Sequence, residues 1–199
     1  MNKDVKNILL CGVGGQGAIL TSKILTEGLI RAGYDVKMSE VHGMSQRGGS
    51  VSTQVRYGNK VNSPLFGPGQ ADICVAFERM EAVRYAGYLK PGGLCLVNDY
   101  RLTPMSVAVG SASYPENAIE AMEDVCETIT IPAAEIAIGL GNARTMNVVL
   151  LGTLVKALGL ESLPGTGWEE IMSELIPEKL LAINLEAFRA GLKTLDTTP

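Results

Sequence analysis

The glycine-rich run GVGGQG at positions 12–17 constrains the fold more than any other feature of this sequence. It overlaps the end of an apolar run at 8–13 that has the length and composition of a buried β-strand. From residue 19 to residue 29 the apolar side chains recur with helical spacing, and Gly33 marks the expected end of that helix. A strand, a tight glycine turn and a helix in this order predict the first unit of an α/β fold.

The rest of the chain continues this alternation of short apolar strands and helical segments. Further strands are predicted at 35–40, 50–57, 71–77, 93–98 and 127–131. Helices are predicted at 80–88, 116–123, 147–158, 168–176 and 177–195, with one more starting after Pro132. The pattern favours a doubly wound, mostly parallel sheet with helices on both faces, which is a Rossmann-like α/β fold, and a helical C-terminal part.

Length and composition limit the classes of protein to which the chain can belong. Its 199 residues predict one domain spanning 1–199, whose helices from about residue 145 pack on it or on a partner. A hydrophobic fraction of 46% excludes a mainly disordered chain. The 17 basic and 21 acidic residues give a net charge of −4 and form no basic stripe, so a nucleic-acid partner is not expected.

The lack of a recognisable targeting signal and the spacing of the cysteines predict a cytoplasmic protein that binds no metal. The first residues lack the apolar core of a signal peptide, and no stretch approaches the ~18 apolar residues of a membrane span. We therefore expect no membrane partner. The four cysteines, at positions 11, 74, 95 and 126, include no C-x-x-C pair, which argues against a zinc site or an iron–sulfur cluster. The first three lie in apolar runs and are predicted to be small buried side chains.

The GVGGQG run also satisfies the G-x-G-x-x-G spacing of phosphate-binding turns. Glycines allow a phosphate to approach the backbone at a helix N-terminus, where free N–H groups attract anions. Glu40 lies near the offset at which dinucleotide-binding proteins place a ribose-binding acid, although it could equally be a carboxylate without a ligand. A purely structural turn remains the alternative. Hydride transfer is disfavoured because His42 is the only histidine.

A second glycine-rich loop follows the predicted strand at 35–40, at the edge where open α/β sheets bind ligands. Arg47 has the planar guanidinium that grips a phosphate or carboxylate, and the backbone amides of Gly48 and Gly49 could form an anion-binding nest. A surface loop with a solvated arginine is the alternative. Across both loops the candidate cofactor-binding residues are Gly12, Gly14, Gly15, Gln16, Gly17, His42, Gln46, Arg47, Gly48 and Gly49, and we assign no catalytic residue and no metal ligand.

The two glycine motifs together resemble a known family. The run at 12–17, the segment EVHGMSQRGGSV at 40–51, and the shorter matches at 63–65 and 71–72 are similar to the small (beta or gamma) subunits of 2-oxoacid:ferredoxin oxidoreductases. The similarity extends from about residue 6 to about residue 195. Within the family the residues of the second motif are most similar to those of the beta subunits of the indolepyruvate enzymes.

This resemblance implies a non-catalytic subunit of an enzyme that oxidatively decarboxylates aryl 2-oxo acids to acyl-CoA and passes electrons to ferredoxin. It implies that thiamine diphosphate, magnesium and 4Fe-4S clusters are held by a large partner subunit, with coenzyme A as co-substrate. Residues 14–17 and Arg47 are then candidates for contacts to a coenzyme A phosphate. Two alternatives stay open: a gamma subunit acting with pyruvate, 2-oxoisovalerate or 2-oxoglutarate, and a freestanding nucleotide-binding module.

Overall fold

The computed structural model describes residues 5–42, 48–162 and 167–196. Its six strands are β1 (Lys6–Val13), β2 (Asp35–His42), β3 (Ser50–Gly58), β4 (Ala71–Ala76), β5 (Leu89–Asn98) and β6 (Glu127–Ile131). The helices are α1 (Ala18–Arg31), α2 (Arg79–Tyr85), α3 (Met105–Ala108), α4 (Ala118–Glu123), α5 (Ala133–Gly139), α6 (Met146–Ala157), α7 (Trp168–Leu175) and α8 (Glu178–Lys193). Short 3₁₀ turns at Ala86–Tyr88, Ala143–Thr145 and Thr194–Asp196 complete the described elements.

All six strands form one sheet in the order β2-β3-β1-β4-β5-β6. β1, β4, β5 and β6 are parallel, whereas β3 is antiparallel to both β1 and β2. The predicted α/β class and mostly parallel sheet are therefore confirmed. β2 and β3 form a hairpin because only seven residues, 43–49, join them, which is too short for the helical crossover that parallel neighbours need.

Side chains alternate between the two faces of the sheet, as the period of two in a strand requires. On one face Ile8, Leu10 and Val75 belong to a core that includes residues of α1, α6, α7 and α8. On the other face Leu9 and Val97 pack with residues of α2 and α4. The predicted helices on both faces are present.

The C-terminal helices pack through α6, which is buried on nearly every side. Gly152 of α6 and Gly191 of α8 allow these two helices to touch backbone to backbone, since a Cβ on either residue would lie 3.0 Å from the Cα of the other. Trp168 of α7 covers Gly28 of α1, where a Cβ would lie 3.1 Å from the indole Cε3. These contacts join the C-terminal helices to the helix that follows the glycine turn.

The structure differs from the sequence-based expectations in two places. β5 starts at Leu89 and so includes Pro91 and Gly92, which we expected in a turn before a strand at 93–98. The pairing of β4 with β5 shifts register between Ala71 and Ile73, which accommodates these exposed residues. The short helix α3 was not predicted, because four residues are too few to show a helical period. Among the described residues, no helix is both long and apolar enough to cross a membrane.

Candidate functional site

The glycine turn lies at the carboxyl end of β1, at the edge where the parallel strands β4 and β5 also end. Gly15 and Gly17 adopt positive φ angles of 102° and 86°, a backbone conformation that favours glycine. Gly17 then caps α1 without any side-chain hydrogen bond, and the first turn of α1 contains no acidic residue. The N-terminus of a 14-residue helix is therefore open to an anion.

Gln16 has a structural role in this turn. Its side chain is buried, with Oε1 accepting a hydrogen bond from the Val13 N–H at 2.7 Å and Nε2 donating to the Phe77 carbonyl at 3.2 Å. A Cβ at Gly12 would lie 2.8 Å from the Phe77 Cβ and 2.9 Å from Gln16 Oε1. Gly12 and Gln16 thus shape the turn, and ligand contacts by them remain a prediction.

The start of β3 meets the glycine turn directly. The Gly14 N–H donates to the Gly49 carbonyl at 2.8 Å, and the Gly48 N–H donates to the Gly14 carbonyl at 3.3 Å. The hairpin places these residues together, because antiparallel β3 begins at the edge where β1 ends and Ser50 pairs with Val13. The structure therefore brings two of the predicted sets of site residues into contact.

The remaining candidates of the second loop are only partly described. His42 ends β2 and its backbone pairs with Val51, but its side chain lies outside the described residues. Gln46 and Arg47 lie in the segment 43–47, which is also outside the described residues. Their roles remain predictions.

Glu40 does not occupy the position expected of a ribose-binding acid. That role needs a strand next to β1, whereas β3 lies between β1 and β2. Glu40 pairs with Thr53 on the edge strand and is exposed. The ribose-binding interpretation is therefore wrong for this fold, and Glu40 is an exposed carboxylate.

Two clefts flank the glycine turn. The smaller, of about 360 Å³, lies on the β3 side and is lined by Val13, Gly14, Gly15, Gly17, Ala18, Ile19 and Val51. The larger, of about 760 Å³, lies on the side of β4 and β5, and we call it the Arg144 cleft. Its lining residues are Gly14, Gly15, Gln16, Gly17, Tyr100, Leu102, Ala134, Ile138, Ala143, Arg144 and Met146.

Sequence reasoning missed two polar residues beside the Arg144 cleft. Arg144 lies on the 3₁₀ turn before α6, where the Asn142 side chain caps its backbone N–H at 3.1 Å. Asn147, in the first turn of α6, donates from Nδ2 to the Gly17 carbonyl at 3.3 Å. The sequence signal that could have indicated these two residues is the glycine-containing polar stretch GNAR at 141–144, which separates two predicted helices.

A buried carboxylate just after β4 holds a neighbouring segment at the same edge of the sheet. Glu78 is fully buried and caps α2, accepting hydrogen bonds from the N–H groups of Met80 and Glu81. Its second oxygen accepts from the Leu102 N–H at 3.2 Å and from the Tyr114 hydroxyl. Burial and this carboxylate raise the pKa of Tyr114. Glu78 therefore holds the segment that carries Tyr100 and Leu102.

The cysteines form a row across the sheet face opposite α6. Cys11 Sγ lies 3.6 Å from Cys74 Sγ, and Cys74 is paired with Cys95 on the neighbouring strand. These three thiols are buried, which confirms the prediction, and burial raises the pKa of Cys11. Cys126 is partly exposed. In the described residues no cluster of three or more His, Cys, Asp or Glu side chains could hold a metal ion.

Comparison with known proteins identifies the class. Residues 7–194 match the pyruvate ferredoxin/flavodoxin oxidoreductase family, and the chain belongs to this family of oxidoreductases. It is 38% identical over 193 residues to the indolepyruvate oxidoreductase subunit IorB of Pyrococcus horikoshii, covering 94% of each chain. It is 40% identical over 190 residues to the IorB subunit of Archaeoglobus fulgidus, covering 93% of this chain and 92% of that one.

Relatives named for another substrate are less similar. The 2-oxoglutarate synthase subunit KorC of Methanothermobacter thermautotrophicus is 28% identical over 194 residues, covering 94% of this chain and 93% of that one. Among solved structures, a keto/oxoacid ferredoxin oxidoreductase gamma subunit from Geobacter sulfurreducens matches with a TM-score of 0.71 and 25% identity, covering 97% of this chain and 99% of that chain. The hypothesis of a freestanding nucleotide-binding module loses its support.

Proposed function

We propose that this chain is the non-catalytic small subunit of an indolepyruvate:ferredoxin oxidoreductase in the cytoplasm. The observation that carries this proposal is the contrast in identity: 38% and 40% to two indolepyruvate oxidoreductase subunits of matching length, against 28% to a subunit named for 2-oxoglutarate. The reaction of such an enzyme oxidatively decarboxylates an aryl 2-oxo acid to an acyl-CoA, with electrons passed to ferredoxin.

The division of labour with a large partner subunit is part of the proposal. Thiamine diphosphate, magnesium and the 4Fe-4S clusters belong to that partner, which supplies the carbon and redox chemistry. In the described part of this chain no cluster of side chains suits a metal, and the buried row of cysteines lies in the core instead of beside the glycine turn. In this proposal the small subunit contributes binding surface to the complex.

At the site, residues 14–17 and 48–49 form the part of the coenzyme A contact that this chain supplies, through the close approach that their glycines allow. The N–H groups of Gly14, Gln16 and Gly48 do not take part, because they donate to carbonyls of the protein. The contact between Gly14 and the Gly48–Gly49 backbone supports this role, because it places two glycine backbones beside the open N-terminus of α1. Arg47 directly precedes Gly48 in the chain, so its guanidinium is our candidate for gripping a phosphate.

The partner assignment is tested in two experiments, one with the purified untagged chain and one with a tagged chain expressed in the native host. The purified chain alone should show no 2-oxo acid oxidation and contain neither iron nor thiamine, and a tagged chain should co-purify with a large thiamine-dependent subunit. Stoichiometric acid-labile sulfide in the isolated chain would contradict the division of labour. Faster turnover of pyruvate or 2-oxoglutarate than of indolepyruvate by the complex would favour the alternative gamma-subunit assignment.

The role of Arg47 is tested in the assembled complex. A charge-assisted hydrogen bond contributes roughly 1.5–3 kcal/mol, so Arg47→Ala should raise the KM for coenzyme A about tenfold to a hundredfold. The KM for the 2-oxo acid should not change, and Arg47→Lys should recover part of the loss. Arg189→Ala is the matched control, because Arg189 is an exposed residue of α8 paired with Glu169. An unchanged KM for coenzyme A in an intact Arg47→Ala complex would exclude this contact.

A further inference from the structure

Glu81, on α2, is a buried carboxylate with a hydrogen-bond partner on each oxygen. The residue is only 2% exposed. Its Oε1 accepts a hydrogen bond from Arg84 Nε at 3.0 Å, and its Oε2 accepts one from Ser50 Oγ at 2.5 Å. Burying a charge is costly unless hydrogen bonds compensate for it, so both contacts matter to the protein. The Arg84 side chain is half exposed, whereas Ser50 belongs to the sheet, so the bond to Ser50 connects α2 to β3.

Ser50 occupies a particular place in the second glycine motif, the segment at 40–51. It is the first residue of β3 and directly follows Gly49. The Gly49 carbonyl accepts a hydrogen bond from the Gly14 N–H, and the Gly48 N–H donates to the Gly14 carbonyl. The bond between Glu81 and Ser50 therefore holds the residue that joins the Gly48–Gly49 pair to the sheet.

The contact lies behind the sheet, on the face opposite α1. Successive side chains of a strand point to opposite faces, and Ser50 reaches α2 while Val51 lines the smaller cleft beside α1. Ser50 and Glu81 are absent from the lining of both clefts that flank the glycine turn. These two side chains can therefore act on the site only through the backbone at the start of β3.

Glu81 is itself held firmly in place. Its backbone N–H donates to the Glu78 carboxylate, which caps α2, and its carbonyl accepts from the Cys11 thiol at 3.6 Å. On the other side of the contact, the Tyr85 hydroxyl lies 3.4 Å from Ser50 Oγ. Side chains that keep a functional constellation in position work only when hydrogen bonds and packing fix them as well. Glu81 meets this requirement.

We propose that Glu81 is a positioning residue for the second glycine motif. Through Ser50 it fixes where the Gly48–Gly49 backbone leaves the sheet, and because Arg47 directly precedes Gly48, it also fixes where the chain of Arg47 begins. Glu81 touches no ligand. This role rests on the coenzyme A contact proposed above, and it assigns to α2 a part in that contact although α2 lies on the opposite face of the sheet.

The first test is steady-state kinetics of the assembled complex. Ser50→Ala should raise the KM for coenzyme A about threefold to tenfold, because small displacements of a binding group are costly, and the KM for the 2-oxo acid should not change. Ser50→Thr keeps the hydroxyl and should restore most of the affinity. Glu81→Ala should raise the KM for coenzyme A as Ser50→Ala does. The double variant should show no larger increase than either single variant, since both remove the same bond.

The second test is amide hydrogen exchange of the isolated chain, followed by NMR at the Gly14 N–H. Loss of the Ser50 contact should loosen the Gly49 carbonyl that this N–H meets, so Ser50→Ala should speed its exchange about tenfold through local opening. Thr153→Val is the matched control for both tests. It removes a buried hydroxyl between α6 and α8, so it should lower the Tm without changing the Gly14 exchange or the KM for coenzyme A.

Three results would overturn the positioning role: an unchanged KM for coenzyme A in Ser50→Ala, equal increases of that KM in Ser50→Ala and Thr153→Val, or unchanged exchange of the Gly14 N–H in Ser50→Ala. The Arg47→Ala complex separates this failure from that of the proposed function. If Arg47→Ala raises the KM for coenzyme A and Ser50→Ala does not, only the role of Glu81 is wrong. If both variants leave the KM unchanged, the coenzyme A contact is wrong as well.

Discussion

Replacing Gly191 by alanine should destabilise the protein, although the same change stabilises most helices. Gly191 lies in α8 against α6, where a Cβ would sit 2.9 Å from the carbonyl carbon of Val149, closer still to its oxygen, and 3.0 Å from the Cα of Gly152. These neighbours are backbone atoms of a buried helix, so no side chain can turn away to make room. The two helices must separate to accept the methyl group.

Whether Gly191→Ala raises or lowers the stability depends on two opposing contributions to the free energy of unfolding. Alanine in a helix interior is favoured over glycine by about 1 kcal/mol. Overpacking of a tight core typically costs about 1–3 kcal/mol, and rigid backbone on the opposing side puts this site at the upper end, about 3 kcal/mol. The net loss is therefore about 2 kcal/mol, which for a domain of this size lowers the Tm by about 4–8 °C.

Urea and thermal unfolding followed by circular dichroism measure this change, with Gly139→Ala as the matched control. Gly139 ends α5, and a Cβ there would meet no atom within 4 Å, so that variant should be neutral or gain up to about 1 kcal/mol. A Gly191→Ala protein with an unchanged or higher Tm would refute the backbone contact between α6 and α8. Equal losses in both variants would refute the explanation by packing.

Three further predictions concern buried or partly buried polar groups: Glu78, Asp72 and the cysteines. Glu78→Gln replaces a carboxylate oxygen that accepts hydrogen bonds with an NH₂ group that can only donate. It should therefore lower the free energy of unfolding, measured in urea, by about 1–3 kcal/mol, and Tyr114→Phe should lower it by less. Partial burial alone would raise the pKa of Asp72, but hydrogen bonds from Lys90 and a backbone N–H outweigh it and lower the pKa. The ionised form therefore stabilises the fold above pH ~4, and the stability difference between wild type and Asp72→Asn should shrink as the pH falls through the lowered pKa. In the native protein a thiol reagent should modify only Cys126, and slowly, because the hydrogen bond to Cys95 and burial raise the pKa of its thiol. Denaturant should make the other three cysteines reactive. Fast labelling of a second cysteine in the native protein would contradict the buried row.

Local patterns were sufficient to predict most elements and the glycine turn. The strand at 8–13 and the helix after it follow from apolar spacing, and both are found, in β1 and α1. The turn between them was predictable because positive φ angles at Gly15 and Gly17 restrict those positions to glycine. Each of these features depends on residues close together in the chain.

The parts of the site that escaped prediction depend on contacts between distant residues. Arg144 and Asn147 follow β6 and approach Gly17 only because α6 packs against α1, with Thr21 Oγ1 donating to the Asn147 carbonyl at 3.2 Å. A helical period correctly placed Asn147 inside a helix but says nothing of what the first turn of that helix faces. The row of cysteines has the same origin, since its members are separated in sequence and adjacent only through strand register.

The direction of β3 explains why the two glycine motifs share one site. In a fully parallel sheet the strand after β2 would start at the opposite edge, and Gly48 and Gly49 would lie a strand length away from Gly14. The hairpin reverses β3, so its first residues meet the carboxyl end of β1 and form the two hydrogen bonds to Gly14. The short 43–49 connection that excluded a crossover helix is therefore also what brings the second motif to the glycine turn, and a longer connection with a helix would have separated the two motifs.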